Sequence, residues 1–380
     1  MAEWREELYR RDRGRFATKE GEREAAAIAT LADVRNMRSF RERAAAHPIV
    51  HEPTTPPPGD RAAYTPDIRR DDNDDGIADR SRVGLGGRDT CPPGEIPRLP
   101  NLTEHERAVE SHFADAYERD PQAKVDEYRA TVKNNVFNTD DAKMLSPDYN
   151  PPKELGHTRE EVNDLRSRNN VLVHQTANAV AKTAFLQRLD ELPSGSSVLV
   201  TAGGCAAGKG YAIGHVEQAK ALESIVGATW DAAGEQNSTE NPWILDECRA
   251  RGLKPIYTFV DADPLARWSS DHPHGVIERA AGKGRMVDAR LFADSYAEGS
   301  KNFAAFHAAH KDDADVGFIL IDARTDSATP RLLENFPEVA LRADSDEIYA
   351  QASRIVDEKL DLNPAIRRGA TVGRRIWGAP

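Results

Sequence analysis

From Asn101 onward the chain alternates between segments whose apolar residues recur at helical spacing and short runs that are apolar throughout. Val109, Phe113 and Tyr117 recur at intervals of four behind Thr103-Glu104-His105-Glu106. That is a capping-box pattern, in which Thr and Glu each satisfy a free amide of the other, so a helix is expected there. A second helix is expected over Asp120–Val132. A single long one is expected from about Glu160 to Leu192, with Val173, Ala177, Val180, Ala184, Phe185 and Leu189 on one face. Beyond it, Ser197–Thr201, Ser224–Trp230, Pro255–Val260 and Gly317–Ile321 are short and apolar, with a weaker run at Val339–Leu341. Strands buried on both faces read this way, so the pattern predicts an α/β fold with a parallel sheet flanked by helices. A last helix is expected over Asp344–Leu360.

Residues 1–100 show neither period. Pro48, Pro53, Pro56, Pro57 and Pro58 crowd the stretch His47–Asp60, an acidic run follows at Asp71–Asp75, and Cys91-Pro92-Pro93-Gly94 comes later. Proline fixes φ and removes an amide donor, which works against regular elements. Gly21–Ala46 is rich in Ala, Arg and Glu but has few large apolar residues, so a helix there would be exposed or dependent on a partner. The expected organisation is an arm over 1–100, disordered or ordered by a protein partner; a helical segment over 101–135; an α/β domain over 136–362; and a tail over 363–380.

Composition narrows the classes. Hydrophobic residues are 39% of the chain, low enough that part of it stays out of any core. Lys+Arg number 51 against 63 Asp+Glu, a formal charge of −12 that argues against packaging DNA or coating an anionic membrane. Three cysteines exclude a disulfide framework and favour a reducing compartment. No apolar run approaches the ~20 residues of a membrane helix, and the Arg- and Glu-rich start is not a signal peptide. A soluble, cytoplasmic protein is expected, with no membrane partner and no strong nucleic-acid signal. The pairs Arg367-Arg368 and Arg374-Arg375 read as solvated tail charges. Asp71-x-Asn73-x-Asp75-Gly76 has the oxygen spacing of a calcium loop, but Arg82 stands where a bidentate Glu is needed, so an acidic linker is the reading.

One string carries chemistry. Val198-Leu199-Val200-Thr201-Ala202 runs into Gly203-Gly204-Cys205-Ala206-Ala207-Gly208-Lys209-Gly210-Tyr211, a buried strand followed by Gly-x4-Gly-Lys and a helical stretch. Small residues let backbone amides curl around a phosphate, a lysine ammonium reaches its outer oxygens, and the helix start adds partial positive charge. Residues 203–211 are therefore the candidate nucleotide-binding residues. The motif ordinarily ends in Ser or Thr, whose hydroxyl binds Mg²⁺; Gly210 removes that ligand and leaves the cradle. The competing reading is a Gly-rich strand-to-helix turn with a solvated lysine.

Around this loop the chain resembles the zeta-toxin family of P-loop kinases. Ile225-Val226-Gly227-Ala228-Thr229 is similar to that family's strand ending in Gly-Thr, and Ile244 through Arg251-Gly252-Leu253 to Tyr257-Thr258-Phe259-Val260 resembles its next unit. Pro264-Leu265-Ala266-Arg267 looks like the start of the following helix. The stretch from Arg279 to Phe303, with Gly284-Arg285, Tyr296 and Asn302, is similar to the arginine-bearing lid, and Ile319-Leu320-Ile321-Asp322 to the last core strand. One part is displaced. The family's Asp-bearing strand and substrate helix follow the phosphate loop, and the segment Tyr211–Ile225 is too short to hold them. Val136-Phe137-Asn138-Thr139-Asp140-Asp141-Ala142-Lys143, with Pro147 and Tyr149, resembles that strand end, and the helix with Val173-His174-Gln175-Thr176 resembles the substrate helix without its acidic residue. The resemblance thus implies a permuted chain, its P-loop NTPase-type sheet holding the Asp segment upstream of the phosphate loop.

The resemblance implies a phosphotransferase using ATP or GTP with Mg²⁺, and a small-molecule acceptor such as the sugar nucleotide UDP-N-acetylglucosamine. Positioning and charge stabilisation dominate such chemistry. Lys209 would hold the outer phosphates, Arg279 and Arg285 would close over the transferring group, and Asp140 would deprotonate or orient the acceptor hydroxyl. Lys143, His174, Gln175, Thr229 and Asp231 would line the acceptor side, Thr229 and Asp231 lying at the carboxyl end of a strand, with Asp231 also holding Mg²⁺ through water. Each has a plainer alternative: Asp140 as a helix N-cap, Arg279 and Arg285 as solvated charges, His174 and Gln175 as pocket or core residues. Cys205 reads as a small filler and Cys248 as a buried hydrophobe. For the whole chain the alternatives are a nucleotide-binding or structural module without turnover, and a kinase for another metabolite or nucleotide.

Overall fold

A computed structural model describes residues 96–216, 226–231, 237–268, 275–283, 287–324, 330–333 and 343–359, together with Ala219, Leu222 and Phe336. Expectations that fall on residues 1–95, Ser224–Ile225, Arg285, Val339–Leu341 and the tail 363–380 lie outside these residues.

The first two helices form where their caps predict. Helix α1 (Glu104–Arg119) opens on the expected box: the Glu106 amide donates to Thr103 Oγ1 at 3.3 Å and the Thr103 amide to Glu106 Oε2 at 2.8 Å. Val109, Phe113 and Tyr117 are buried. Helix α2 (Pro121–Arg129) is capped by Asp120, whose Oδ1 accepts from the Ala123 amide at 3.0 Å, with proline preorganised in the first turn.

A two-residue strand β1 (Val136–Phe137) and a single turn α3 (Thr139–Ala142) follow. The long helix expected over Glu160–Leu192 is instead two, α4 (Arg159–Asn169) and α5 (His174–Glu191). Asparagines at the break use their amides elsewhere: Asn169 Nδ2 donates to Asp148 O at 2.7 Å, and Asn170 Oδ1 accepts from Lys143 Nζ at 2.9 Å.

The remaining order is β2 (Ser197–Ala202), α6 (Lys209–His215), β3 (Ala228–Asp231), α7 (Asn237–Ala250), β4 (Lys254–Asp261), α8 (Pro264–Trp268), α9 (Val276–Lys283), α10 (Ala289–His310), β5 (Gly317–Asp322), β6 (Arg331–Leu333) and α11 (Ser345–Lys359). The six strands make one sheet in the order β1-β3-β2-β4-β5-β6, parallel except for the antiparallel edge β6. The third strand begins at Ala228; Val226 and Gly227 precede it outside the sheet, Gly227 donating its amide to Ser197 O.

Alternate residues of the strands feed two cores. Val198, Val200, Trp230, Tyr257, Phe259 and Phe318 pack in one with residues of α1, α2, α5 and α7. Leu199, Ile256, Val260, Ile319 and Ile321 pack in the other with residues of α6, α8, α9 and α11. Burial on both faces is why these strands read as continuous apolar runs. Among the described residues no helix is long and apolar enough to cross a membrane.

Candidate functional site

The carboxyl ends of five parallel strands open on one edge, where α/β sheets bind ligands. From β2 the chain enters the loop Gly203–Gly208 before α6. Gly203 has φ 144°, and a Cβ there would stand 2.6 Å from Val260 O, so only glycine fits. A Cβ on Gly204 would run into the Tyr296 ring. Ala206 (φ 60°) and Gly208 (φ 77°) are left-handed, and the Ala207 amide bonds back to Gly204 O at 3.0 Å. The loop is thus neither extended nor helical: it curls. Helix α6 begins at Lys209 with Gly208 as its N-cap and no side-chain cap.

Three side chains pack around the curl. The Cys205 amide donates to Ser295 Oγ at 2.9 Å, and Tyr296 OH donates to Cys205 O at 3.2 Å. The buried Arg267 guanidinium lies 3.7 Å from the Cβ position of Gly208 and donates to Ala323 O at 3.2 Å. Space around Gly210 is open, with nothing within 4 Å of a Cβ. Tyr211 is exposed, its ring stacked on His215 with centroids 3.9 Å apart.

At the mouth, Lys209 Nζ lies 3.6 Å from Asp231 Oδ1, the same oxygen that accepts from Thr201 Oγ1 at 2.6 Å. Strand register explains the triad: Thr201 pairs with Asp231 across β2 and β3. Thr229 does not sit at the strand end as expected. It is buried inside β3, paired with Val136 on one side and Leu199 on the other.

The β1 side contributes a second network. Asn138, not Asp140, caps α3: Asn138 Oδ1 accepts from the Asp141 amide at 2.7 Å. Asp140 Oδ1 accepts from Lys143 Nζ at 3.1 Å, and that buried ammonium also donates to Asn170. His174 begins α5, and its imidazole is pushed down to about 3, first by burial and then by the Lys143 charge; Asp140 opposes and Lys182 adds. It is therefore neutral near pH 7. Gln175, next to it, is half-buried.

Register brings the two networks to one edge. Phe137 pairs with Trp230, so α3 leaves the sheet beside Asp231. Tyr128 reports the same juxtaposition. Its OH donates to Asn138 O and accepts from the Asn138 amide, both at 2.9 Å, and its proton is held by burial, with Asp141 and Asp231 adding smaller electrostatic contributions.

Arg279 is half-buried on α9, which lies beside α4. Sequence reasoning missed Thr201, although its place two residues after Leu199 puts it on the Asp231 face. Ser295, Tyr296 and Arg267 had no local signal as loop neighbours, because only the fold brings them there. Chemically, a concave run of backbone with an ammonium at its rim suits an anion. Among the described residues no group of three or more His, Cys, Asp or Glu could hold a metal ion.

No protein-family model matches this chain, and no curated protein matches it.

Proposed function

We propose that this chain is a P-loop kinase of zeta-toxin type in which the acceptor-side segment precedes the phosphate loop, transferring a phosphoryl group from ATP or GTP to a hydroxyl of a small molecule. The observation that carries the reading is strand order. β1 precedes β2 in the chain yet lies beyond β3, so Asp140 and Lys209 leave the sheet at the same edge despite the displaced connection.

The residues suit the nucleotide. Gly203 and Gly204 let Val260 O and the Tyr296 ring pack directly on the loop backbone, and the side left open for phosphate oxygens is at Gly210, where a Cβ would meet nothing within 4 Å. ATP or GTP, when bound, supplies the phosphoryl group. Lys209, held by Asp231, neutralises charge at the loop mouth. Asp140 takes the acceptor's hydroxyl proton, with the Lys143 ammonium paired to it at 3.1 Å. His174, kept neutral, offers a ring nitrogen for a hydrogen bond without adding charge, and Gln175 lies next to it. Arg279 and Arg285 supply guanidinium groups for the transferring oxygens. Mg²⁺ fits modestly: Asp231 is the carboxylate at hand, Thr201 orients it, and magnesium commonly keeps most of its remaining ligands as phosphate and water. A sugar nucleotide such as UDP-N-acetylglucosamine is the acceptor that the family resemblance suggests.

A second reading, nucleotide binding without turnover, is favoured by one observation: Gly210 provides no hydroxyl for the metal. One experiment separates the two. Mg²⁺-dependent ATP consumption is measured with and without UDP-N-acetylglucosamine and other hydroxyl acceptors, for the native chain, Lys209→Ala and Asp140→Asn. The kinase reading expects turnover lost in both variants and nucleotide affinity lost only in Lys209→Ala. Binding without turnover leaves the module; neither binding nor turnover ends both readings.

A further inference from the structure

The loop is held from outside as well as from within. The Ala207 amide bonds back to Gly204 O, while both backbone polar groups of Cys205 are engaged by α10. Ser295 is buried and anchored, its hydroxyl donating to Phe292 O at 2.7 Å while accepting the Cys205 amide. Tyr296 lies flat against Gly204, where a side chain would collide with its ring, and reaches on to Cys205 O. Behind it Phe292 packs on Tyr296 with centroids 4.9 Å apart and on Trp268 at 4.5 Å, and the Trp268 indole donates to Ala352 O at 3.0 Å. The clamp therefore stands on the second core, not on the loop.

We propose that Ser295 and Tyr296 are positioning residues for the phosphate loop: α10 sets the Gly204–Ala206 curl and so sets affinity for the nucleotide's phosphates. This rests on the phosphate-loop reading above. They act through the Cys205 peptide groups. A free loop would have to order itself on binding, and a preorganised one has already lost that conformational freedom. The directing bonds are also separate from Lys209, so their effect lies in loop shape and not in charge.

The test uses the full chain. Dissociation constants for MgATP and for inorganic triphosphate are measured by calorimetry for the native protein, Lys209→Ala, Ser295→Ala, Ser295→Thr, Tyr296→Phe and Ser300→Ala. Ser300 is buried on the same helix, more than a turn beyond Ser295, and reports the plain effect of losing a buried hydroxyl. Losing one directing bond is expected to weaken both ligands about fivefold to tenfold in Ser295→Ala and Tyr296→Phe. Ser295→Thr, which keeps the hydroxyl, and Ser300→Ala are expected to bind as the native chain does. Tyr296→Phe keeps the ring and the fold, so it decides the matter should Ser295→Ala unfold. If Lys209→Ala loses binding while Ser295→Ala and Tyr296→Phe keep native affinity, the clamp is refuted and the loop reading stands. If the native chain binds neither ligand, or Lys209→Ala binds both unchanged, the loop reading fails and takes the clamp with it.

Discussion

Gly203 and Gly210 bracket the same loop and should respond oppositely to a side chain. A Cβ at Gly203 meets Val260 O at 2.6 Å on a backbone of φ 144°, whereas at Gly210 it meets open space. Gly203→Ala is therefore expected to lose about 1–3 kcal/mol of stability, read from the urea midpoint. Gly210→Ser is expected to gain roughly 0.5 kcal/mol, because serine loses less backbone entropy than glycine in a helix. If the kinase reading holds, the restored hydroxyl should also raise Mg²⁺-dependent turnover several-fold; unchanged metal dependence would count against a metal near Gly210. His174 makes a second residue-scale test. It stays neutral in the fold with a pKa near 3 but titrates at about 6.5 when unfolded. The unfolded chain thus binds more protons as pH falls below 6.5, and stability must fall with it. Between pH 6.5 and about 5 the loss is expected to be roughly 1 kcal/mol, half of the ~2 kcal/mol ceiling for a group wholly shielded from solvent. His174→Gln should flatten that part of the pH curve in urea titrations, and an unchanged slope would contradict it.

Elements show where sequence patterns stop. The cap of α1, the start of α2 and strands β2, β4 and β5 were legible because a capping box and fully apolar runs are local signals. The division of α4 from α5 was not, since the Asn169 and Asn170 side chains at the break bond to Asp148 and Lys143, partners that spacing along the helix cannot disclose. β6 is three residues long with exposed and half-buried positions, too short for any period to register. β1 has two residues, and only the resemblance around Asp140 marked it. Its stability comes from outside itself: Tyr128 OH both donates to and accepts from the Asn138 backbone, and Phe137 packs edge-on to Tyr128 and Phe185. Tyr128→Phe strands an amide and a carbonyl, so a loss of about 1–3 kcal/mol is expected from chemical denaturation. Because the same bond seats α3, the kinase reading also expects turnover to fall while nucleotide affinity stays native. Loss of both together would assign Tyr128 to general stability alone.

At the scale of the molecule, the upstream helices and strand β2 share one core. Phe113, Tyr117, Val125 and Tyr128 belong to the same buried cluster as Val198, Val200, Trp230 and Phe318. β2, β4 and β5 send their other residues into the opposite core, where Trp268 lies. A sheet that contributes alternate residues to two layers cannot lose one layer and keep the other, because each strand would then expose a full apolar face. Unfolding of the described region should therefore be cooperative: tryptophan fluorescence, with Trp230 and Trp268 in opposite layers, and far-UV circular dichroism should give one coincident urea transition. Deleting residues 104–129 removes the cover of α5 and of Phe137, and should abolish that transition and expose surface that binds a hydrophobic dye. Two separated transitions, or a deletion that unfolds as sharply as the full chain, would mean that the upstream segment is an attachment and not a layer. That outcome would also loosen Asp140 from Lys209, since β1 packed on β3 is one of the contacts that hold the two together.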